Sequence, residues 1–365
     1  MTQFDYLVVG AGLAGVTLAH QLSKAGYSVL VIDKRDHIGG NCFDYYDKHG
    51  VLVHKYGPHY FRTSYPDVKD FLSQFTSWQP HTYKVRVSID NTLYSFPINR
   101  TTLNQFFKVN LKTAAQAKKF LDTKKLDIAD PQNAEEQVLA LAGPEIYQAF
   151  FRGYTQKQWG MSPTKLDASV TARIPIRTNT DDRYSGASFQ AMPKHGYTNM
   201  FKNMLADIPV MLNTDFDTVK KYISYKKLIY TGPIDAYFDY KYGKLPYRSL
   251  KFVFKTFKQE YYQDWGQINY PNDHKYTRIV EIKHVTGQKS PFTTISVEYP
   301  QKKGDPYYPV PNPRNELQYQ KYFQQAQKNN NVYFIGRLAE YRYLNMDQVI
   351  KKALDLSKQI LNEKK

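Results

Sequence analysis

The segment Phe4–Asp33 constrains the fold more than any other part of the sequence. It contains two apolar runs, Leu7–Val9 and Val29–Ile32, which are separated by an amphipathic stretch. The first run is followed by glycines with the spacing GxGxxG, at Gly10, Gly12 and Gly15. This order predicts a strand, a tight turn, a helix and a second strand, which begin a Rossmann-like α/β fold.

Each glycine has its own function in such a turn. Gly10 lets the chain turn, Gly12 lets the backbone approach a pyrophosphate, and Gly15 lets the helix pack closely on the strand. The helix N-terminus offers N–H groups to the phosphates. Asp33, placed 18 positions after Gly15, can accept hydrogen bonds from an adenosine ribose. The segment therefore predicts a bound dinucleotide, NAD or FAD, and an ordinary structural turn is the alternative.

A second pair of glycines directly follows the second strand. Gly39 and Gly40, which precede Asn41, provide another close approach of backbone to ligand. Because a second approach suits a cofactor lying extended along the domain, it favours FAD over NAD. A plain loop is the alternative interpretation.

Length and charge limit the class of protein. A chain of 365 residues exceeds one hydrophobic core, so we expect two or three domains. The net charge of +17 favours an anionic partner, although a basic solvated surface would carry the same charge. Because the lysines are scattered and no nucleic-acid recognition module is present, we expect a small anionic molecule and no nucleic acid.

Cysteine content and hydropathy predict the compartment. Cys42 is the single cysteine, so we expect no internal disulfide and a reducing, cytoplasmic environment. A small buried side chain is the favoured interpretation of Cys42 over a reactive thiol. The sequence shows no 18-residue apolar stretch and no signal-peptide pattern. We therefore expect no membrane span and no secretion. The sequence has no metal-ligand constellation, so no metal site is expected.

Helical and strand patterns alternate along the rest of the chain. Asn133, with Glu136 three residues later, is expected to cap a helix that ends at Gly143 before Pro144. The expected elements are a helix at 65–78, a hairpin at 84–98, helices over 101–158, a helix at 196–205, strands at 210–216 and 228–233, an antiparallel sheet over 245–299, a strand at 332–337 and a helix at 347–361.

These patterns predict an α/β protein with a discontinuous Rossmann-like FAD-binding domain, an inserted small helical domain and an antiparallel β-sheet domain. The nucleotide domain is discontinuous because its strands lie far apart in the sequence. The expected boundaries are 1–80, 192–236 and 318–365 for the FAD-binding domain, 100–170 for the helical domain, and 81–99, 171–191 and 237–317 for the sheet domain.

Three local patterns admit more than one interpretation. His59 follows a Gly-Pro pair and either faces the cofactor ring system or is a loop histidine. Phe150 and Tyr154, four apart on a helix, either pack in the core, which is favoured, or stack on a base. Arg173 and Arg177, four apart in an extended stretch, either bind a diphosphate or lie in solvent.

Taken in order, the motifs resemble the bacterial UDP-galactopyranose mutase family over essentially the full length. The later motifs are far more specific than the glycine fingerprint. The matching strings are GAGLAG at 10–15, IGGN at 38–41, YGPH at 56–59, FFRGYTQKQWG at 150–160, RIPIR at 173–177, DDRY at 181–184, MPKHGY at 192–197, YTGPID at 230–235, YTR at 276–278, PYYP at 306–309 and GRLAEYRYLNMD at 336–347.

The resemblance implies an isomerase that interconverts UDP-galactopyranose and UDP-galactofuranose with reduced FAD. In the family, N5 of the reduced flavin attacks the anomeric carbon as UDP departs. The resulting adduct opens through an iminium and recloses through the other hydroxyl. Because the cofactor provides the nucleophile, the protein provides orientation and charge stabilisation. The resemblance also implies a homodimer that supplies UDP-galactofuranose for cell-surface glycans.

The same resemblance assigns the site residues. Arg173 and Arg278 are expected to hold the two phosphates, and with His59 they form the catalytic set. The expected substrate-binding residues are Phe150, Phe151, Tyr154, Trp159, Arg173, Tyr184, Arg278, Tyr308, Tyr343 and Asn345. The expected cofactor-binding residues are Gly10, Gly12, Gly15, Asp33, Lys34, Gly39, Gly40, Asn41, His59, Gly336, Arg337 and Met346.

The sequence departs from the family pattern at two positions. Arg62 stands where a second histidine is expected, and Asn345 stands where an aspartate is expected. An amide at position 345 would keep a sugar-hydroxyl contact but lose its charge.

Two other functions remain as alternatives. An FAD oxidoreductase of the amine-oxidase type would need an electron acceptor and an apolar substrate tunnel. The paired arginines and tyrosines argue against such a tunnel. A non-catalytic binder of nucleotide sugars or polyanions would leave the cofactor motifs unexplained.

Overall fold

A computed structural model describes residues 3–363, and the outermost residues of the expected FAD-binding domain, 1–2 and 364–365, lie outside that range. The described chain forms two compact units. The first contains residues 3–81, 187–246 and 316–363, and the second contains residues 82–186 and 247–315. The division of the second unit into a helical domain and a sheet domain stays a prediction.

The strands and helices are numbered in chain order. The strands are β1 Phe4–Val9, β2 Val29–Ile32, β3 Asp44–Tyr46, β4 Leu52–His54, β5 Phe61–Thr63, β6 Trp78–Pro80, β7 Val85–Ile89, β8 Thr92–Phe96, β9 Phe189–Pro193, β10 Val210–Met211, β11 Tyr225–Tyr230, β12 Tyr247–Phe257, β13 Gln267–Asn269, β14 Arg278–Glu281, β15 Thr293–Gln301, β16 Tyr308–Pro309 and β17 Val332–Phe334. The α-helices are α1 Leu13–Lys24, α2 Pro66–Leu72, α3 Arg100–Phe107, α4 Ala114–Asp122, α5 Ala134–Ile146, α6 Gly153–Trp159, α7 Ser169–Ala172, α8 Tyr197–Met204, α9 Phe216–Val219, α10 Ile234–Tyr237, α11 Lys283–Thr286, α12 Pro313–Ala326 and α13 Met346–Asn362.

A parallel sheet forms the centre of the first unit. Its strand order is β10-β2-β1-β11-β17, and every described pairing in it is parallel. The apolar runs of β1 and β2 are buried, as expected for strands covered on both faces. Helices α1 and α13 pack against each other. The Rossmann-like fold expected from the N-terminal segment is therefore confirmed.

A buried acid joins α8 to the hairpin of β3 and β4 in the same unit. The carboxylate of Asp44 accepts hydrogen bonds from the backbone N–H groups of Tyr197 (2.6 Å) and Thr198 (2.8 Å), so it caps α8 from outside the helix. His54 pairs with Asp44 in register, and its Nε2 lies 3.9 Å from Oδ2 of Asp44. Burial lowers the pKa of His54 to about 3.

A seven-stranded sheet dominates the second unit. Its order is β16-β12-β15-β14-β13-β7-β8, and its described pairings are antiparallel except that of β13 with β7. The core contains Ile279, Ile295 and Val297. The hairpin expected at 84–98 is confirmed, with Asp90 (φ 48°) and Asn91 (φ 60°) forming its turn.

One helix of the second unit begins and breaks where the sequence predicts, whereas α3 is capped by Asn99 and not, as expected, by Thr101 or Thr102. Asn133 accepts hydrogen bonds from the N–H groups of Glu135 and Glu136 at the start of α5, and the helical conformation breaks at Gly143 (φ 83°). The six residues Tyr147–Arg152 form a π-helix, which the sequence did not indicate.

The strand expected at 332–337 ends at Phe334, and two other expected elements end five or six residues earlier than predicted. The helix expected at 65–78 ends at Leu72, and Trp78 instead begins β6, which pairs with β9. The strand expected at 210–216 is reduced to β10, because Asp215 caps the short helix α9. In both cases tertiary pairing or local capping overrides the hydrophobic pattern.

We predict that Gly15→Ala lowers the free energy of unfolding by about 1–3 kcal/mol, because a Cβ there would overlap the carbonyl oxygen of Gly10 and lie 3.0 Å from Cγ1 of Val8. Urea unfolding measures the change. Gly186→Ala is the matched control, since a Cβ at Gly186 would meet no described atom within 4 Å. Equal stability changes in the two variants would contradict the close packing of α1 on β1.

We predict that His54 makes the free energy of unfolding fall as the pH drops from 6.5 towards 3. The unfolded histidine takes up a proton near its ordinary pKa of 6.5, whereas the folded one takes it up only near 3. The contribution of His54 to the free energy of unfolding is therefore fully present above pH 6.5. Below that pH the free energy of unfolding falls by up to about 1.4 kcal/mol per pH unit.

Urea unfolding of the parent chain and His54→Asn between pH 7 and about 4.5 tests this sign. The variant should show the shallower pH dependence, while His49→Asn, at an exposed position, should match the parent. A pH dependence in His54→Asn as steep as in the parent would refute the assignment.

Candidate functional site

The carboxyl ends of four parallel strands meet at one edge of the first unit's sheet. Gly10 follows β1, Asp33 follows β2, Thr231 follows β11, and Gly336 lies two residues beyond β17. Gly10 has φ +106°, and a Cβ there would overlap Oγ1 of Thr231. A Cβ at Gly336 would lie 3.3 Å from Cβ of Ala14 in α1. In sheets of this kind the ligand binds outside this edge.

The N-terminus of α1 lies at the same edge. Gly12 caps the helix without a side-chain hydrogen bond, and the first turn contains no acidic residue. A Cβ at Gly40 would lie 2.9 Å from Cα of Gly12, and the N–H of Gly39 donates to the carbonyl of Ala11 at 2.8 Å. The two glycine turns therefore pack together beside an uncompensated positive helix end, which suits a pyrophosphate.

Asp33 is held in place by the backbone. Its Oδ2 accepts from the N–H of Ala11 at 2.8 Å, and its Oδ1 accepts from the N–H of Arg35 at 2.9 Å. Each carboxylate oxygen keeps a second acceptor site for a ribose hydroxyl. Arg35 donates to Oδ1 of Asn41 at 2.9 Å, and its guanidinium lies 4.5 Å from the centre of the Tyr56 ring. Lys34 is exposed.

His59 is fixed from three sides. Its ring Nδ1 lies 2.9 Å from the carbonyl of Gly57, so Nδ1 carries the proton and Nε2 is the acceptor in the neutral ring. Its backbone N–H donates to Nδ1 of His54 at 3.2 Å, and its carbonyl accepts from the hydroxyl of Tyr197 at 2.9 Å. The capped helix α8 and the buried His54 therefore orient His59, whose position facing the cofactor ring stays a prediction.

The segment before α13 brings further expected residues together. Arg337 donates to the carbonyl of Leu344 at 2.6 Å, and its guanidinium lies 4.9 Å from the centre of the Tyr343 ring. Asn345 caps α13, of which Met346 is the first residue. Arg62 lies 3.5 Å from Oδ1 of Asn345, so the two departures from the family pattern contact each other.

The first unit therefore provides the parts that a dinucleotide needs. An open helix N-terminus faces the same edge as a fixed ribose acceptor, and glycine backbone replaces side chains where a pyrophosphate would approach. These features fit a dinucleotide of the FAD type.

The second unit contains a buried ion pair in the middle of its sheet. Nε of Arg278 donates to Oε2 of Glu298 at 2.7 Å, and the two residues are register partners on β14 and β15. Glu298 is 1% exposed. The carboxylate accepts from Nε, and the terminal nitrogens of Arg278 form no hydrogen bond within residues 3–363. Sequence reasoning identified Arg278 but missed Glu298, whose alternation with apolar residues in β15 was the available signal.

Tyrosines interact electrostatically with this guanidinium. Arg278 interacts electrostatically with Tyr154, Tyr308 and Tyr83, and Tyr154 also interacts with Tyr184. Burial raises the pKa of the Tyr154 phenol, and the nearby Arg278 opposes that rise. The N–H of Tyr184 donates to the carbonyl of Tyr83 at 2.8 Å. The structure thus brings together four of the expected substrate residues and adds Tyr83, which the sequence did not indicate.

Phe150 and Phe151 have the contacts of core residues. Phe150 is 2% exposed and packs edge-on against Tyr94 and Phe106, while Phe151 packs against Phe96. The π-helix changes the angular spacing between position 150 and α6, so the α-helical spacing assumed for Phe150 and Tyr154 does not hold here. A role of the two phenylalanines in binding uracil stays a prediction.

The remaining expected residues of this unit lie on short elements. Trp159 ends α6, is 5% exposed and has its ring centre 6.2 Å from that of Tyr308. Arg173 follows α7, is exposed, and donates from Nε to the carbonyl of Val170 at 3.2 Å. The expected extended stretch therefore begins only after Arg173. Its role as a phosphate ligand stays a prediction.

Residues 3–363 contain neither a membrane-spanning helix nor a cluster of metal-binding side chains. No helix there has both the length and the apolar character needed to cross a bilayer. In the same part of the chain, no three side chains of histidine, cysteine or acid lie where a metal ion could be held.

Comparison with known proteins places this architecture in a family. The UDP-galactopyranose mutase family model matches residues 149–343, and a model of NAD(P)-binding Rossmann-like domains matches residues 8–75. The chain is 40% identical to a probable UDP-galactopyranose mutase of Klebsiella pneumoniae, covering 99% of this chain and 96% of that one. It is 37% identical to dTDP-fucopyranose mutase of Escherichia coli, covering 98% and 99%.

Solved structures agree on the fold. A structure of reduced UDP-galactopyranose mutase matches with a TM-score of 0.77 and 17% identity, covering 99% of this chain and 94% of that one. Putrescine oxidase matches with a TM-score of 0.62 and 13% identity, which indicates the shared fold alone. Because sequence identity extends over the full length of the mutases, the chain belongs to the UDP-galactopyranose mutase family, a family of isomerases.

Proposed function

We propose that the chain interconverts UDP-galactopyranose and UDP-galactofuranose with reduced FAD. The observation that carries the proposal is the guanidinium of Arg278, which a buried carboxylate holds and which interacts electrostatically with Tyr154, Tyr308 and Tyr83. A half-buried cation near the phenols of Tyr154 and Tyr308 suits the diphosphate of a nucleotide sugar. The charged pair of Arg278 and Glu298 does not suit the apolar substrate tunnel expected of an amine oxidase.

The residues of the second unit would stabilise the departing UDP. When bound, reduced FAD supplies through N5 the nucleophile for the anomeric carbon. Arg278 offsets the negative charge that develops on the diphosphate as the bond to the sugar breaks. Because burial keeps Tyr154 protonated well above neutral pH, its hydroxyl stays a hydrogen-bond donor. Arg173, Tyr184, Tyr308 and Trp159 complete the proposed substrate-binding set in this unit.

The residues of the first unit would orient the cofactor. The helix N-terminus at Gly12 and the fixed Asp33 suit the pyrophosphate and the ribose. His59 is proposed to lie over the isoalloxazine, with its Nε2 as acceptor. The remaining proposed contacts are those of Lys34, Asn41, Arg337 and Met346 with the cofactor and those of Tyr343 and Asn345 with the substrate.

A second nucleotide sugar is a specific alternative. The dTDP-fucopyranose mutase relative is almost as similar in sequence as the Klebsiella relative, at 37% against 40% identity. That substrate carries the same diphosphate, so Arg278 and its tyrosines suit both. The two differ at the nucleobase and at the sugar, and both compounds therefore belong in the assay.

The proposal extends to the cellular setting. A cytoplasmic homodimer that supplies UDP-galactofuranose for cell-surface polysaccharide is what the family resemblance implies. The buried Cys42, the single cysteine, supports a reducing compartment.

We predict that dithionite-treated protein loaded with FAD converts UDP-galactofuranose to UDP-galactopyranose, and that air-oxidised protein does not. Separation of the products by chromatography measures both, with dTDP-fucofuranose assayed in parallel. If dTDP-fucofuranose were turned over faster than UDP-galactofuranose, the dTDP sugar would be assigned as the substrate. Equal turnover by oxidised protein, or turnover coupled to an electron acceptor, would refute the proposed mechanism.

We predict that Arg278→Ala lowers kcat/KM by about 100- to 1000-fold while FAD remains bound, because the charge on the departing diphosphate loses its main stabilising group. The flavin absorbance spectrum reports cofactor content. Since this change leaves the Glu298 carboxylate buried and unpaired, Arg278→Ala/Glu298→Gln should be tested beside it.

Arg152→Ala is the control from the same motif. Arg152 is exposed and donates to Oε1 of Gln148 at 2.8 Å, so its loss should leave kcat/KM unchanged. Near-parental activity in the double variant would show that Arg278 does not act on the diphosphate.

A further inference from the structure

Lys157 fastens α6 to the loop that leads into Arg278. Its ammonium donates to the backbone carbonyls of Tyr270, His274 and Tyr276 at 2.5, 2.8 and 3.1 Å. These carbonyls belong to residues 270–276, and β14 begins two residues later at Arg278. One half-buried side chain therefore joins the helix that carries Tyr154 to the strand that carries the guanidinium.

Backbone contacts strengthen the same junction. A Cβ at Gly153 would lie 2.5 Å from the carbonyl oxygen of Pro271, so the two segments approach more closely than a side chain would allow. The side-chain amide of Asn272 donates to the carbonyl of Ala149 at 3.1 Å. The separation between Tyr154 and Arg278, which interact electrostatically, is therefore set at this junction.

Arg248 fastens the other end of α6. It is 8% exposed, and it donates from Nε to the carbonyl of Gln158 at 2.9 Å and from Nη2 to the carbonyl of Lys157 at 3.3 Å. A Cβ at Gly160 would lie 2.6 Å from Nη1. The guanidinium thus packs against the last turn of the helix, on both sides of Trp159.

The backbone of Arg248 reaches a second substrate residue. Arg248 is the register partner of Tyr308, and its carbonyl accepts from the N–H of Tyr307 at 3.0 Å. The rings of Trp159 and Tyr308 have centres 6.2 Å apart. Arg248 therefore joins these two residues through its side chain and its main chain.

Both cations are stabilised by carbonyl dipoles. Within residues 3–363, neither Lys157 nor Arg248 forms an ion pair with a carboxylate. Burial lowers the pKa of Lys157 to about 8, so the ammonium form predominates at neutral pH. The carbonyls at the C-terminus of α6 carry the negative end of the helix dipole, which favours the guanidinium there.

We propose that Lys157 and Arg248 are positioning residues for the mutase reaction. Together they hold Tyr154, Trp159, Tyr308 and Arg278 in one arrangement through a continuous chain, in which the Lys157 carbonyl accepts from Arg248 while its ammonium binds the loop before Arg278. Neither side chain needs to contact the substrate. The inference rests on the proposed function, because it assigns those four residues to one substrate site.

The second unit contains a matched control for a purely structural role. Lys283 is 1% exposed, and its ammonium also donates to three carbonyls, those of Glu260 (2.7 Å), Ser290 (2.6 Å) and Phe292 (3.1 Å). Its described contacts include none of the four substrate residues. Lys283→Met therefore removes the same kind of interaction at a more buried position without affecting the proposed chain.

The test compares Lys157→Met, Arg248→Lys and Lys283→Met in the full-length protein loaded with FAD and reduced by dithionite. Steady-state turnover of UDP-galactofuranose gives kcat and KM, calorimetry with UDP gives Kd, and thermal unfolding gives Tm. Arg248→Lys keeps the buried charge but loses the planar fork that reaches two carbonyls. It serves as the second variant if Lys157→Met does not fold.

We expect Lys157→Met to lower kcat/KM by about 100-fold, as for a displacement of binding groups by about 1 Å, and to raise the Kd of UDP. Arg248→Lys should act in the same direction. Lys283→Met should lower Tm at least as much as Lys157→Met while leaving kcat/KM and Kd unchanged.

The outcomes separate this inference from the proposed function. If the parent protein converts UDP-galactofuranose but the folded Lys157 and Arg248 variants keep its kcat/KM, the positioning role is wrong. The positioning role is also wrong if Lys283→Met loses as much kcat/KM per degree of lowered Tm as Lys157→Met does. If the parent protein converts no UDP sugar, the proposed function itself is wrong.

Discussion

The buried pair of Arg278 and Glu298 is the interaction on which the second unit's chemistry depends. A half-buried guanidinium is stabilised by a compensating charge, which the carboxylate of Glu298 supplies through a 2.7 Å hydrogen bond from Nε. Burial raises the pKa of Glu298 and the neighbouring Arg278 opposes that rise, so each group stabilises the charged form of the other.

Carbonyl dipoles stabilise three further cations of this unit. Lys157, Arg248 and Lys283 are held by backbone oxygens, which orient an ammonium or guanidinium without neutralising it. The positive charge of these three residues is therefore stabilised by dipoles, whereas that of Arg278 is partly offset by the charge of Glu298. The high net charge of the chain includes these internal cations as well as the scattered surface lysines.

The expected phosphate site of the first unit is built mainly from backbone groups. Its helix N-terminus, glycine turns and parallel strand ends present N–H groups where side chains are absent. Side chains then orient the polar groups at the margin: Asp33 through two backbone donors, and His59 through His54 and Tyr197. The proposed site of the second unit is thus built from charged side chains, and that of the first unit largely from peptide dipoles.

The sequence by itself determined the strand, turn, helix and strand of the N-terminal segment, the hairpin at Asp90-Asn91 and the cap at Asn133, because each depends on residues close together in the chain. Its motifs also indicated the family and most candidate site residues. Tertiary structure alone decided the partners: Glu298 reaches Arg278 through strand register, and Lys157 binds a carbonyl 113 residues away. It also decided the π-helix before Tyr154 and the early end of α2. Such features depend on which segments pack together. The free energy of that packing cannot be read from the local sequence pattern of one segment.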